Sequence, residues 1–126
     1  MLETLEARRL LTASLNNGIL TITGGAAGDN LVAEIQGSHV KVIENGSKIS
    51  TFKANKVNHI VFNGLAGNDT LTNTTFKPSI MNGGAENDIM IGSPNAADDF
   101  NGGSESDTVT YASRSQNLTL LVLPPA

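Results

Sequence analysis

From residue 17 onward, apolar positions alternate with polar ones over short runs and almost never recur at helical spacing, which predicts strands. Ile19-Leu20-Thr21-Ile22-Thr23, Leu31 to Ile35, His39 to Ile43, Lys48 to Phe52 and Val57 to Phe62 each read as one strand. The breaks carry residues that tolerate positive φ: Gln36-Gly37-Ser38 and Glu44-Asn45-Gly46-Ser47. Residues 31 to 52 are therefore expected as antiparallel hairpins, and the chain as a whole is all-β.

A second pattern overlies the first. Gly-Gly-x-x-x-Asp-x-apolar aligns five times, at Gly24 to Leu31, Gly64 to Leu71, Gly83 to Met90, Ser93 to Phe100 and Gly102 to Val109. Asp69, Asp88 and Asp107 stand 19 residues apart, as do Leu71, Met90 and Val109. A fixed interval implies stacked coils, each with two turns and two short strands, with parallel neighbours about 4.8 Å apart. One wall is expected to stack Leu71, Met90 and Val109. The other is expected to stack Val61 or Phe62, Ile80, Phe100 and a residue from Leu118 to Leu121. Asp98 then falls on the opposite edge, where the preceding coil offers Thr75-Phe76-Lys77-Pro78 and no acid, so no paired site is expected there.

Composition narrows the chemistry. The 126 residues hold no Cys and no Trp, one Tyr and four Phe. Disulfides, thiolate zinc sites and cysteine nucleophiles are excluded, and the core must come from Val, Ile and Leu. Eight Lys+Arg against twelve Asp+Glu give a net charge of −4, which argues against a nucleic-acid partner. No Lys or Arg falls between Pro78 and Ser113, where Glu86, Asp88, Asp98, Asp99, Glu105 and Asp107 lie. Such a block repels itself unless cations screen it. The longest apolar runs are too short for a membrane span or a signal-peptide core. Residues 1 to 16 read as an N-terminal tail, with a sorting segment as the alternative.

Stacked carboxylates in a partly dry turn must protonate or share a cation. All-oxygen ligands favour calcium over zinc or copper. Ten of the thirteen glycines lie in or beside the repeats, where positive φ can aim successive carbonyls at an ion. The competing reading is turn chemistry closing a metal-free β-solenoid. No catalytic constellation emerges: His39 and His59 read as surface residues, no Gly-x-Ser-x-Gly elbow is present, and a carboxylate ladder makes no cleft for a sugar.

Gly64 to Thr72, Gly83 to Ile91 and Gly102 to Thr110 resemble the calcium-binding nonapeptides of the repeats-in-toxin (RTX), or hemolysin-type, β-roll, Gly-Gly-x-Gly-x-Asp-x-apolar-x. The resemblance covers residues 64 to 110 and, as an isolated copy, 24 to 32. Leu5 to Leu11 and Asp107 to Arg114 more faintly resemble segments of large surface or secreted proteins of planctomycete-type bacteria. The RTX resemblance implies ions between successive turns. One would take the carbonyls of Leu65, Gly67, Gly83 and Ala85 with Asp69 and Asp88. The next would take those of Gly84, Glu86, Gly102 and Ser104 with Asp88 and Asp107, so that Asp88 is shared.

The sequence departs from that pattern where Glu86 and Glu105 replace the fourth glycine, Ala27 and Ala96 do so in the first and fourth copies, and Leu65 replaces the second. Each places a Cβ where positive φ is expected, at roughly 1 kcal/mol or more, and predicts weaker ion binding than a perfect repeat. Asp29, with no partner 19 residues away, reads as an Asp in a plain turn. The expected whole is a hairpin segment over residues 17 to 63, followed by a short right-handed parallel β-roll over 64 to 123. Its expected role is to stabilise an extracellular or surface protein on binding calcium, without catalysis. Self-association or a surface polysaccharide or protein partner would suit it. A metal-free adhesion or matrix module and a β-helical polysaccharide-acting enzyme fragment are the alternatives.

Overall fold

The computed structural model describes residues 12–93 and 97–111. Among them the chain forms β1 (Thr12–Asn16), β2 (Ile19–Thr23), β3 (Asn30–Gln36), β4 (His39–Glu44), β5 (Lys48–Lys53), a 3-10 turn (Ala54–Lys56), β6 (His59–Asn63), β7 (Thr70–Asn73), β8 (Ser79–Asn82), β9 (Ile89–Gly92), β10 (Asp98–Asn101) and β11 (Thr108–Tyr111). They make two mixed sheets, ordered β1-β2-β6-β8-β10 and β11-β9-β7-β3-β4-β5. β2, β6, β8 and β10 run parallel, as do β3, β7, β9 and β11. Antiparallel pairing is confined to β1 with β2 and to β3, β4 and β5. No helix among the described residues is long and apolar enough to cross a membrane.

Period-two alternation decides which side chains enter the space between the sheets. In the first sheet, Ile22, Phe62, Met81 and Phe100 share one register row, and Leu20, Ile60, Ser79 and Asp98 share another. In the second sheet the matching row is Leu31, Leu71, Met90 and Val109. All the apolar members of these rows except Val109 are fully buried, and Val109 packs against them partly buried. Burying each such side chain contributes about 1.5 to 3 kcal/mol, so three short rows supply most of the core.

The expected wall of Leu71, Met90 and Val109 is present. In the counterpart Phe62 and Phe100 lie on the inner row as expected, but Ile80 does not: it pairs with Val61 and Asp99 and stands half-buried on the outer face, while Met81 occupies the inner row. A one-residue slip exchanges the two faces of a strand. The stretch Leu118 to Leu121 lies outside the described residues.

The expected hairpins are β3, β4 and β5, but they do not stand apart from the repeats. β2 pairs with β6 and β3 with β7, so residues 19 to 33 occupy the same two sheets as the later passes. Residues 12 to 16, expected as tail, form β1, because Asn17 (φ 52°) and Gly18 (φ 82°) close a two-residue turn onto β2. Two successive positive-φ residues suit the right-handed twist of a tight hairpin.

Candidate metal centre

Four turns leave the first sheet for the second: Gly24 to Asp29, Gly64 to Asp69, Gly83 to Asp88 and Gly102 to Asp107. They lie along one edge of the fold, layer on layer. The last three share a backbone, with left-handed residues at the second and fourth positions: Leu65 (φ 71°) and Gly67 (φ 93°), Gly84 (φ 90°) and Glu86 (φ 71°), Gly103 (φ 84°) and Glu105 (φ 71°). Leu65, Glu86 and Glu105 therefore adopt a conformation that disfavours any Cβ, at roughly 1 to 2 kcal/mol each. The first turn differs. Ala27 is not left-handed, so this fourth-position replacement carries no such strain; Ala96 lies outside the described residues.

The turns stack backbone on backbone. A Cβ at Gly84 would strike the Leu65 carbonyl, one at Gly103 the Gly84 carbonyl, and one at Gly67 would come within 2.6 Å of the Ala27 carbonyl oxygen. The aspartates bind the stack together. Asp69 Oδ1 accepts the amide N–H of Asp29 at 2.7 Å, Asp88 Oδ1 that of Asp69 at 2.8 Å, and Asp107 Oδ1 that of Asp88 at 2.8 Å. In the other direction, the carbonyls of Asp29, Asp69 and Asp88 accept the amides of Thr70, Ile89 and Thr108, each at 2.8 Å. Asp29 is thus the first rung of the row, not an isolated turn residue. Its partner is 40 residues away instead of 19, and the extra 21 accommodate β4 and β5.

Each inner carboxylate keeps one oxygen without a partner. Asp69 and Asp88 are 1% exposed, and neither Oδ2 has a hydrogen bond. That oxygen faces the first glycine of its own turn, where a Cβ on Gly64 or Gly83 would approach it to 2.6 or 2.5 Å. Burial pushes the Asp69 carboxyl up to about 7; the Asp29 N–H opposes this, and the charges of Asp88 and Asp29 add to it. Burial likewise raises Asp88 to about 6, against the Asp69 N–H and with the charges of Asp107 and Glu86. Dry, like-charged carboxylates are stable when they bind protons or cations.

The structure places the sequence-predicted ligands as follows. Asp69, Asp88 and Asp107 form the row. Gly83 and Gly102 lie against the carboxylates of their own turns. The Leu65 and Gly84 carbonyls face the next turn, but Leu65 O already accepts the Ala85 N–H at 3.1 Å, so only its second lone pair is left for an ion. Gly67 is buried beneath Ala27, whereas Ala85, Glu86 and Ser104 sit on exposed turn tips. No group of three His, Asp or Glu side chains among the described residues is arranged to hold a metal by itself. An ion here would have to combine carboxylates of adjacent turns with backbone carbonyls.

The opposite edge is satisfied by hydrogen bonds. Asp98, 4% exposed, accepts the Ser79 hydroxyl at 2.5 Å, the Asn73 side-chain amide at 2.9 Å and the Ser93 backbone N–H at 2.8 Å. His39 and His59 line separate shallow grooves and do not converge. One ladder was missed in the sequence. Asn63, Asn82 and Asn101, 19 residues apart, pass side-chain hydrogen bonds of 3.0 Å along the stack, and the carbonyls of all three accept the first glycine N–H of a turn at 2.8 Å. Their constant interval was the signal. Asn68 and Asn87 repeat the device at the turn tips, accepting the amides of Asn87 and Ser106 at 2.9 Å. No family model matches the chain, and neither the curated proteins nor the solved structures yield a match.

Proposed function

We propose that the chain is a short right-handed β-roll whose glycine and aspartate turns bind calcium, and that this binding stabilises an extracellular or surface protein of structural or adhesive role. The observation that carries this reading is the pair of buried, unpartnered Oδ2 atoms of Asp69 and Asp88 within a row of stacked carboxylates. Calcium takes six to eight hard oxygens and tolerates irregular geometry, which suits one carboxylate per turn supplemented by carbonyls. Asp69, Asp88 and Asp107 would hold the ions, with Asp88 shared. Without ions the row carries uncompensated charge; with them, adjacent turns are cross-linked and the folded state is favoured by mass action. The left-handed Leu65, Glu86 and Glu105 support weaker ion binding than a perfect glycine repeat would give.

A second reading, a metal-free β-solenoid serving adhesion or matrix assembly, is favoured by the Asn63–Asn82–Asn101 ladder, which ties the layers without any ion. Far-UV circular dichroism and thermal melts in metal-free buffer, then with calcium or magnesium, separate the two. The calcium reading expects a calcium-selective rise in melting temperature that Asp88→Asn largely abolishes; the Asn side chain can still accept the Asp69 N–H. Identical melts with and without calcium would leave the metal-free module.

A further inference from the structure

We propose that Glu44 and Asp29 hold a further divalent cation at the end of the carboxylate row, in a site where the β4–β5 excursion meets the first glycine turn. β3 and β4 pair so that Leu31 faces Glu44 and Ala33 faces Val42. Leu31, Ala33, Val42 and Glu44 are all fully buried, which puts Glu44 on the inner face. Asp29, two residues before Leu31, is 8% exposed and continues that face, so the two carboxylates are diagonal neighbours, within reach of a side chain as long as Glu. Asn45 fixes their relation. Its side-chain amide donates to Asp29 Oδ1 at 2.9 Å, its Oδ1 accepts the Asn30 N–H at 2.7 Å, and its own N–H donates to the Asn30 carbonyl at 2.8 Å.

Glu44 is 0% exposed and neither of its oxygens has a hydrogen-bond partner. Burial raises its carboxyl above the ordinary value, against the charge of Lys48, its pairing partner on β5, and with that of Asp29. A proton alone does not resolve the situation. A neutral carboxyl could share its proton with Asp29, but its second oxygen would stay buried without a partner. A divalent cation satisfies both oxygens together and offsets the charge of Asp29, and hard oxygens select calcium or magnesium. This site is separable from the ions assigned to the repeats at Glu44, which lies outside every glycine-rich turn, although Asp29 joins it to the row through its N–H on Asp69.

The test is calorimetric titration of the full chain with calcium chloride, and separately magnesium chloride, in metal-free buffer, using wild type, Glu44→Gln, Glu44→Leu and Asp88→Asn. The expected result is a loss of one ion per chain in both Glu44 variants, with that ion retained in Asp88→Asn. Circular dichroism of Glu44→Leu, whose side chain suits the surroundings of Leu31 and Val42, verifies that the loss is not unfolding. Unchanged stoichiometry in the Glu44 variants overturns the proposal and leaves the repeat sites standing if Asp88→Asn loses ions. Loss in the Glu44 variants alone supports this site and refutes calcium binding by the repeats. A wild type that takes up neither ion overturns both.

Discussion

In metal-free buffer the protein should lose stability as the pH rises from about 4 to 7, and in excess calcium it should gain stability over the same range. The folded state holds Asp69 at about 7 and Asp88 at about 6, against 3.8 ordinarily, chiefly because both are buried. A raised folded-state value means that the native chain binds protons the unfolded chain has released. The resulting stability is fully present below the unfolded value and lost as pH climbs through about 6 and then about 7. At about 1.4 kcal/mol per unit the two groups together set a ceiling of several kcal/mol, and screening at the solvent-facing edge reduces this to roughly 2 to 4 kcal/mol. For a domain near 100 residues, that corresponds to a fall in melting temperature on the order of 10 to 20 °C.

Calcium bound as proposed should reverse the sign, because it would take the ionised carboxylates and its affinity would rise as they lose their protons. The assay is a set of thermal melts followed by far-UV circular dichroism at half-unit steps from pH 4.5 to 7.5, in metal-free buffer and in millimolar calcium. Asp69→Asn, which removes the higher of the two titrations, should flatten most of the metal-free slope. Parallel pH profiles in the two buffers, or an Asp69→Asn profile identical to wild type, would refute the reasoning: the row would then be neither dry enough to hold protons nor able to exchange them for ions.

Leu65→Gly and Glu86→Gly should each stabilise the fold by about 0.5 to 1 kcal/mol, the left-handed penalty less the added freedom of glycine in the unfolded chain; urea midpoints at constant slope measure this. Asp98→Ala should destabilise by about 3 kcal/mol, because Asn73, Ser79 and Ser93 lose their acceptor together. Denaturation with and without calcium should return the same loss, which places Asp98 outside the ion chemistry.

Alternation and interval made the strands and the Asp69, Asp88 and Asp107 rungs readable, since both are direct projections of pleat and stacking onto the chain. Two features escaped for identifiable reasons. Ile80 and Met81 are both apolar, so alternation within Ser79–Asn82 does not choose between them; the 19-residue interval does, since the Ile80 row would draw Asp99 inside while the Met81 row draws Phe100. Asp29 escaped because a repeat search assumes a constant interval, and the β4–β5 excursion breaks it without breaking the stacking. Glu44 continues the inward run of Val40 and Val42, but beside Asn45-Gly46-Ser47 it reads as part of a turn.

The two edges of the same sheets show why burial alone does not locate a site. Asp98 and Asp88 are both almost fully buried acids at the start of a strand, Asp98 as the first residue of β10 and Asp88 just before β9. Asp98 receives three neutral donors across its two oxygens. Asp88 receives one, the Asp69 N–H, and its second oxygen receives none. The first arrangement is complete in itself, since each oxygen that burial strips of water has at least one compensating N–H or O–H. The second is not, and the deficit recurs at Asp69 and is doubled at Glu44. A fold that satisfies Asp98 with Asn and Ser side chains had the same means available at the glycine turns, where instead glycines keep Cβ atoms away from the unpartnered oxygens. Among the described residues the missing donors are thus confined to the edge at which a hard cation is proposed.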